Sequence, residues 1–553
     1  MAIQDPFQKD MEKRLLVAMV LSMAVLWLLV PRLAPPQLPP PEDPAATRET
    51  IPADAALPAE IPLLGGLAQT EALPKTLVVE NEHLILRLTN KGGVLESARL
   101  KVYDQDDGPL EVLPQNLLDG VGETWSIQVR DEAINRRLKQ AVYEIEGIGT
   151  GRATAPVEFF LRYRDEVVQV DRRIRVPRTG YFIEMETSVR TAAGSIPFSV
   201  VLGPGIGTAT GSTAEDFITP QITYFTGTDI DQLDAGGLAE RPVPLPPGSR
   251  WVAIDSKFFA YLVLSPEGIQ GGRMLQSIGS TDEVERGPLV KTEIELAPGA
   301  QYTAFVGPKD RDVLVAGDPT LVELIDYGWF KILVMPLLLT LKFVYAYVGN
   351  YGWAIIALTF IINLALFPVR YKQMASIKKM SAVQPEMRSI QDRYKRMKRD
   401  DPRRQKMNTE VMALYKRHGV NPLGGCLPLV IQMPFLFAFY TMLYTSIELR
   451  GAPFIGWIED LARHDPYYVT PILMGATMVA QQKMTPAGGD PTQRKMMMLL
   501  PIVFTFFFLS FSSGLVLYFL FSNLFGMMFQ ALFQKYGPES ATTQTGKKAS
   551  AKK

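Results

Sequence analysis

The chain has 553 residues, 57 Lys and Arg balanced by 57 Asp and Glu, and 47% hydrophobic residues. Zero net charge gives no global pull toward nucleic acid, so electrostatic partners must be read from local clusters. A single cysteine, Cys426, excludes an internal disulfide, a cysteine-based zinc site and a lipoprotein anchor, and the histidines His83, His418 and His464 are too scattered to suggest a metal site.

Residues 15–30 form an uncharged apolar stretch set between Lys13, Arg14 and Arg32. A cleaved signal would end soon after in a small-x-small site, but the chain runs into PRLAPPQLPPPEDP. Residues 1–31 therefore read as a cytoplasmic end plus an uncleaved transmembrane anchor, lengthened by snorkelling arginines. Residues 32–74 are rich in Pro, Ala and Leu, which favours an extended periplasmic linker over a packed core. From 75 to 310 the pattern is period-two alternation broken by Gly and Pro turns. Leu84, Leu86 and Leu88 alternate with Ile85, Arg87 and Thr89 ahead of an Asn-Lys-Gly-Gly turn, and Tyr181, Ile183, Met185 and Val189 alternate with Glu184, Glu186, Ser188 and Arg190. This predicts a large all-β sandwich. Glu184 and Glu186 share a strand face and are the residue type for paired-carboxylate sugar chemistry, but an ordinary solvated face is the simpler reading.

The apolar run 332–341 lies between Lys331 and Lys342 and contains Pro336. It is too short for a hydrocarbon core of about 30 Å, so residues 320–348 are expected to hold an amphipathic helix in the membrane interface. Full spans follow at 351–368, within segment 349–369, and at 427–447, 467–482, 497–513 and 515–533, within segment 421–536. With the anchor, the fold class is a polytopic α-helical membrane protein of six transmembrane helices with a large all-β periplasmic sandwich domain. Orientation follows from loop charge: residues 370–417 hold fifteen Lys or Arg against five acids, whereas the loop 448–465 holds four acids against two arginines. The loop 370–420 and both termini, including the basic tail 537–553, are then cytoplasmic, and the β domain lies in the periplasm of a Gram-negative inner membrane.

No GxxxxGK[ST], HExxH or GxSxG motif is present, and neither an enzyme, a cofactor nor a metal site is expected. Within the spans the informative residues are polar and uncharged: Thr359, Asn363, Gln432, Gln481, Gln482, Ser522 and Asn523. None titrates near neutral pH, which argues against a proton-coupled transporter. Each reads either as an interhelical hydrogen-bonding group or as the wall of a hydrated cavity. In the fifth span, Met496, Met497 and Met498 precede Phe504, Phe506, Phe507, Phe508 and Phe511, a surface suited to adaptable apolar partners or simply to lipid. In the basic loop Met374, Ile377, Met380, Val383, Met387, Ile390, Tyr394 and Met397 recur at threes and fours, and Met407, Val411, Leu414 and Tyr415 resume the pattern, which predicts an antiparallel helical hairpin. Its Lys378, Lys379, Arg393, Lys395, Arg396, Arg403 and Arg404 suit anionic lipid or ribosomal RNA without sequence recognition; positive-inside topology alone also accounts for such charge.

The segment NPLGGCLPLVIQMPFLFAFYTML from Asn421 resembles the third span of the YidC, Oxa and Alb family of membrane protein insertases. DPYYVTPILMGATM from Asp465, QKMTP from Gln482 and SSGLVLYFLFSNL from Ser512 are similar to the same family, and TNKGG at Thr89 with WVAIDSKFFAY from Trp251 resembles its Gram-negative periplasmic domain. The resemblance implies an insertase and chaperone for nascent membrane proteins, working alone or with the Sec translocon through a polar groove and without nucleotide hydrolysis. It implies a groove lined by Thr359, Asn363, Gln432 and Tyr518, and a client exit path along Met433, Phe506, Phe507 and Phe508. The basic hairpin would meet clients or the ribosome. In one respect the sequence departs from the family pattern: TFIIN places Asn363 where many bacterial members carry an arginine. Arg370, two residues past Pro368, is expected to lie too near the cytoplasmic surface to replace it, leaving a groove that is wet but uncharged. The competing readings are a secondary transporter or channel and a membrane-tethered periplasmic sugar-binding protein.

Overall fold

The computed structural model describes residues 74–105, 108–115, 123–149, 151–207, 220–238, 241–277, 289–394, 403–419, 427–484 and 491–536. The expected first span, the linker up to residue 73 and the basic tail lie outside the described residues. The chain divides between Asp326 and Tyr327 into two compact units, a β unit and a helical unit.

The β unit is built from three sheets. A five-stranded sheet runs Gly108–Glu111, Val94–Gln105, Leu84–Thr89, Thr76–Glu80, Gly151–Thr154, and all its pairings are antiparallel except the last. A ten-stranded sheet runs Ile230–Asp234, Gln221–Phe225, Trp251–Asp255, Phe259–Leu264, Gln301–Pro308, Phe182–Thr191, Val168–Val176, Val157–Arg164, Glu144–Glu146, with Gly194–Ile196 beside Phe182–Thr191. A second five-stranded sheet runs Val243–Pro244, Gly271–Ser277, Leu289–Leu296, Phe198–Leu202, Ile127–Gln128. The alternation works as expected in Leu84–Thr89, whose three leucines are buried. In Phe182–Thr191 it fails after Glu186, because Thr187, Ser188 and Val189 are all buried. Glu184 and Glu186 stand opposite Arg175 and Arg173 in the register and pair with them at 3.3 and 3.7 Å, as on an ordinary solvated strand face.

The strands Trp251–Asp255 and Phe259–Leu264 are buried along their whole length, the mark of a strand covered on both faces. Asp255, at the end of the first, is fully buried and accepts hydrogen bonds from Lys309 Nζ at 2.8 Å, Thr223 Oγ1 at 2.7 Å and Gln221 Nε2 at 3.2 Å. Lys309 also donates to the Ser256 carbonyl at 3.0 Å, so the ammonium is held from two sides. The TNKGG turn has its own lock. Gly92 and Gly93 adopt φ of 71° and 63°, and wholly buried Arg172 donates to the Gly93 and Trp125 carbonyls at 2.9 Å each. Helix α1, Glu132–Gln140, is N-capped by Asp131, and α2, Arg311–Gly317, by Asp310.

The helical unit contains α3, Lys331–Val348; α4, Tyr351–Ala365; α5, Phe367–Tyr394; α6, Arg403–Arg417; α7, Leu427–Thr445; α8, Val469–Met484; α9, Pro491–Phe508; and α10, Ser513–Tyr536. Helix α3 is eighteen residues long, so the length argument for a short interfacial stretch does not hold. Within it Lys342 pairs with Glu448 at 2.7 Å. Gly349, at φ 68°, closes α3, and Asn350 caps α4. Helices α4 and α5 meet at a 57° bend, with Pro368 in the first turn of α5, where its missing N–H costs nothing. By length and composition two described helices can cross a membrane, Gly328–Val348 and Ser513–Tyr536, or three with the bent pair α4–α5, against the six spans expected. The shortfall is one of length: α4 and α8 have fifteen and sixteen residues, where an upright crossing takes about twenty, and the side chains at the start of α7 and α9 lie outside the described residues.

Candidate functional site

The polar residues of the helical unit collect around α10. Ile355 of α4 lies against Gly514, and Phe360 packs on Phe525 with ring centroids 5.2 Å apart, so α4 and α10 start at the same end and run in the same direction. Thr359 and Tyr518 fall between those two contacts, and both are buried. Tyr518 stacks on Phe439 of α7 at 4.0 Å. Tyr518 of α10 thus meets α7, and α10 packs on α4 along the stretch that holds Thr359. Gln432 belongs to α7, but its side chain lies outside the described residues.

Two of these polar side chains bond within their own helix. Thr359 Oγ1 donates to the Ile355 carbonyl at 2.6 Å and Asn363 Nδ2 donates to the Thr359 carbonyl at 2.7 Å, both within α4. Asn363 is 2% exposed, and its Oδ1 is a buried acceptor without a partner among the described residues. A buried acceptor left unmade costs about 1–3 kcal/mol. The other face of α10 carries a polar seam with α8: Asn523 Nδ2 donates to Thr477 Oγ1 at 3.4 Å, and Gln530 Nε2 to the Met484 carbonyl at 2.8 Å.

Arg370 is half-buried, and its Nη1 lies 3.1 Å from the position a Cβ on Gly526 would take, with Gln481 Nε2 2.6 Å from the same point. The guanidinium therefore lies between α5, α8 and α10.

Met433 is 37% exposed, and Phe506 and Phe507 are 78% and 60% exposed. Phe508 is a correction. It is 5% exposed and packs on Phe519 at 4.7 Å, because at 3.6 residues per turn three consecutive residues cannot share one face.

The α7–α8 loop closes one end of the helices. Asn350 Nδ2 donates to the Pro453 carbonyl at 2.9 Å, Phe454 packs over Gly352, and the N–H groups of Ser513 and Gly514 donate to the Arg463 and Leu461 carbonyls at 2.6 and 2.9 Å. Buried Asp465 holds the start of α8 by accepting from Trp457 Nε1, Tyr467 N, Thr470 N and Thr470 Oγ1, all within 3.0 Å. Burial alone would raise its pKa, but these donors hold the carboxyl below the ordinary range.

At the opposite end α5 and α6 form the expected antiparallel hairpin around Val383, Met387, Ile390 and Leu414, with Met380, Tyr394, Met407, Val411 and Tyr415 packed against them. Arg393 pairs with Glu410 at 3.0 Å, and Tyr394 donates to the same carboxylate at 2.7 Å. Lys379 and Arg393 are exposed and Lys378 is half-buried; Lys395 and Arg396, and the side chains of Arg403 and Arg404, lie outside the described residues.

Comparison with known proteins gives a consistent result. Residues 343–540 match the family described as 60Kd inner membrane protein, and residues 76–340 match the YidC periplasmic domain. The membrane protein insertase YidC of Geotalea daltonii is 34% identical over 543 residues, covering 96% of this chain and all of that protein. The corresponding protein of Citrifermentans bemidjiense is 46% identical over 311 residues, 55% of this chain and 56% of that one. A solved structure of an active YidC insertase with its first transmembrane domain resolved aligns over 85% of this chain and 96% of its own, at 17% identity and a TM-score of 0.36.

Proposed function

From the premise that the chain belongs to the YidC family of membrane protein insertases, and so inserts nascent proteins into the bacterial inner membrane, we propose a route for the client through the helical unit. The client's polar segment passes between α4, α7 and α10 beside Thr359, Asn363, Gln432 and Tyr518. Its apolar segment leaves past Met433, Phe506 and Phe507. The observation that carries this reading is the unpartnered Oδ1 of Asn363, an acceptor that a client's backbone N–H can satisfy. An amide carried into an apolar medium without partners costs roughly 2–7 kcal/mol, so polar groups along the path lower the barrier. Burial of the client's apolar surface, about 25 cal/mol per Å², drives the step, and no nucleotide is needed.

In this reading six helices span the membrane, both termini are cytoplasmic, and α3 lies in the interface, where the Lys342–Glu448 pair reaches water. The basic hairpin receives clients from the ribosome or the Sec translocon and rests on anionic lipid. The test is site-specific photocrosslinking to a stalled nascent membrane protein. Probes at Asn363, Gln432 and Met433 should capture the client, while a probe at Ile332, exposed on α3, should not. Capture from Ile332 but not from Asn363 would sink the route.

A further inference from the structure

Large apolar and aromatic side chains are exposed on the α7–α8 loop, at the end where α4, α8 and α10 begin. Ile455 and Trp457 stand out from the loop itself, and Tyr467 and Tyr468 from its last residues ahead of α8. The rings of Trp457 and Tyr467 meet edge to face at 6.1 Å, and Phe454 meets Trp353 of α4 in the same way at 5.4 Å. The exposed side of α8 then continues through Ile472, Ala476 and Val479, spaced by four and three, so loop and helix carry one apolar surface. The acids of the loop are used elsewhere. Glu448 pairs with Lys342 at 2.7 Å, Asp460 pairs with Arg463 at 3.4 Å, and Asp465 is buried among its four donors, so of the loop's four acids only Glu459 is exposed. The bonds from Asn350, Ser513 and Gly514 to the loop carbonyls fix it against the ends of α4 and α10.

We propose that the α7–α8 loop is inserted into the lipid bilayer, with Ile455 and Trp457 below the headgroups of the leaflet on that side, the periplasmic one in the topology proposed above. The inference rests on the reading that α4, α8 and α10 span the membrane. Tryptophans of membrane proteins gather at the headgroups because the ring is apolar and the N–H needs an acceptor. Here the Trp457 Nε1 already donates to Asp465 Oδ1 at 2.9 Å. The ring can therefore sink past the headgroups without leaving a donor unmet, which would otherwise oppose its entry. An interfacial apolar face buries about 5–10 Å into the boundary of headgroup and acyl chain. Glu459, two residues beyond Trp457, marks the level of the water.

The experiment uses the full chain in nanodiscs of phosphatidylethanolamine and phosphatidylglycerol, where both faces of the bilayer meet the solution. The difference in emission between the native protein and Trp457→Phe isolates Trp457. That share of the emission should be quenched by phospholipids brominated on their acyl chains and should lose its quenching by aqueous iodide. A nitroxide on Ile455→Cys or Glu459→Cys, each combined with Cys426→Ser, gives a second reading that does not depend on tryptophan. Oxygen should reach the label at 455, and a water-soluble nickel chelate should reach the label at 459 and lose access at 455. Trp457 emission quenched by iodide and untouched by brominated lipid, or a label at 455 as open to the nickel chelate as the one at 459, would overturn the inference and leave the loop in water, its apolar surface free for a protein partner. A membrane-impermeant thiol reagent applied to spheroplasts carrying Glu459→Cys reads the topology separately. If it fails to label 459 while the nanodisc results hold, the sidedness proposed above is wrong and the insertion of the loop stands.

Discussion

In the β unit Asp255 and Lys309 lie inside the sheet, each held by the other and by further neutral partners, whereas in the helical unit Thr359 and Asn363 turn their donors back onto their own helix and leave an acceptor over. The same chain thus handles buried polarity in two ways. A static sheet holds a buried ion pair because its geometry is fixed and the remaining lone pairs are satisfied. On the proposed route, strong interhelical bonds would raise the barrier to parting these helices, and self-satisfied donors with a spare acceptor would suit such an interface.

The largest expected effect tests the first half of that contrast. Asp255→Ala leaves the Lys309 ammonium buried without its counter-charge, which should cost the β unit about 3–5 kcal/mol. Hydrogen exchange at residues 251–264 of the full protein in denaturant would read the loss, while insertion per molecule should hold. Deleting residues 75–300 carries the same expectation further, with most insertion retained. If insertion falls in step with β-unit stability in either variant, the two units are not separate in function and the contrast breaks.

Next in size is the hairpin, whose core is small enough for one side chain to matter. Leu414→Ala should cost about 2–5 kcal/mol, the usual penalty for emptying a buried leucine site. Exchange protection at residues 380–394 and 407–417 should be lost together. If the hairpin receives clients, insertion slows in this variant while crosslinks from Asn363 persist.

The hairpin was also the part most legible in the sequence, because spacing by threes and fours over two helices leaves little else for those methionines and aliphatics to do. The β strands were legible for the same reason at period two. Asp255 was passed over, although a lone acid ending the apolar run WVAID is itself a signal of a buried, paired charge. The apolar run 332–341 reads as short in the sequence, but the helix that holds it continues through Lys342, which pairs with Glu448. Phe508 was grouped with its neighbours by identity, where helical phase separates it from them.

A smaller effect is expected from acid. Burial works to raise the pKa of Asp318, but its hydrogen bonds from Thr320 N at 2.8 Å and Thr320 Oγ1 at 2.6 Å, and its contact with Arg250 Nη2 at 2.6 Å, hold the carboxyl below the ordinary range. A depressed folded-state pKa stabilises fully above the unfolded value of about 4 and is lost as pH falls through the folded value. Protection around residues 318–324 should therefore drop below about pH 4, and Asp318→Asn should flatten that drop. The Trp251 Nε1 bond to Thr320 Oγ1, 3.1 Å, offers a fluorescence reporter of the same transition. An acid transition unchanged by Asp318→Asn would place the sensitive carboxylate elsewhere in the β unit.

The smallest expected change in stability is the one that sharpens the contrast most. Asn363→Leu removes a buried acceptor that has no partner and puts apolar surface in its place, so the helical unit should become more stable by about 1 kcal/mol, the lower end of the penalty for an unmade bond. Its effect on insertion should be opposite in sign. A leucine at that depth offers a client's backbone nothing to bond to, and tighter packing of α4 on α10 raises the cost of parting them. Thermal unfolding of the purified protein in detergent reads the first quantity, and insertion of a neutral-tailed client into proteoliposomes reads the second. A variant that is more stable and slower would show that the spare oxygen at Asn363 is kept for the client. A variant that is more stable and equally fast would reduce Asn363 to an imperfectly satisfied packing residue, and the route would then need another polar wall.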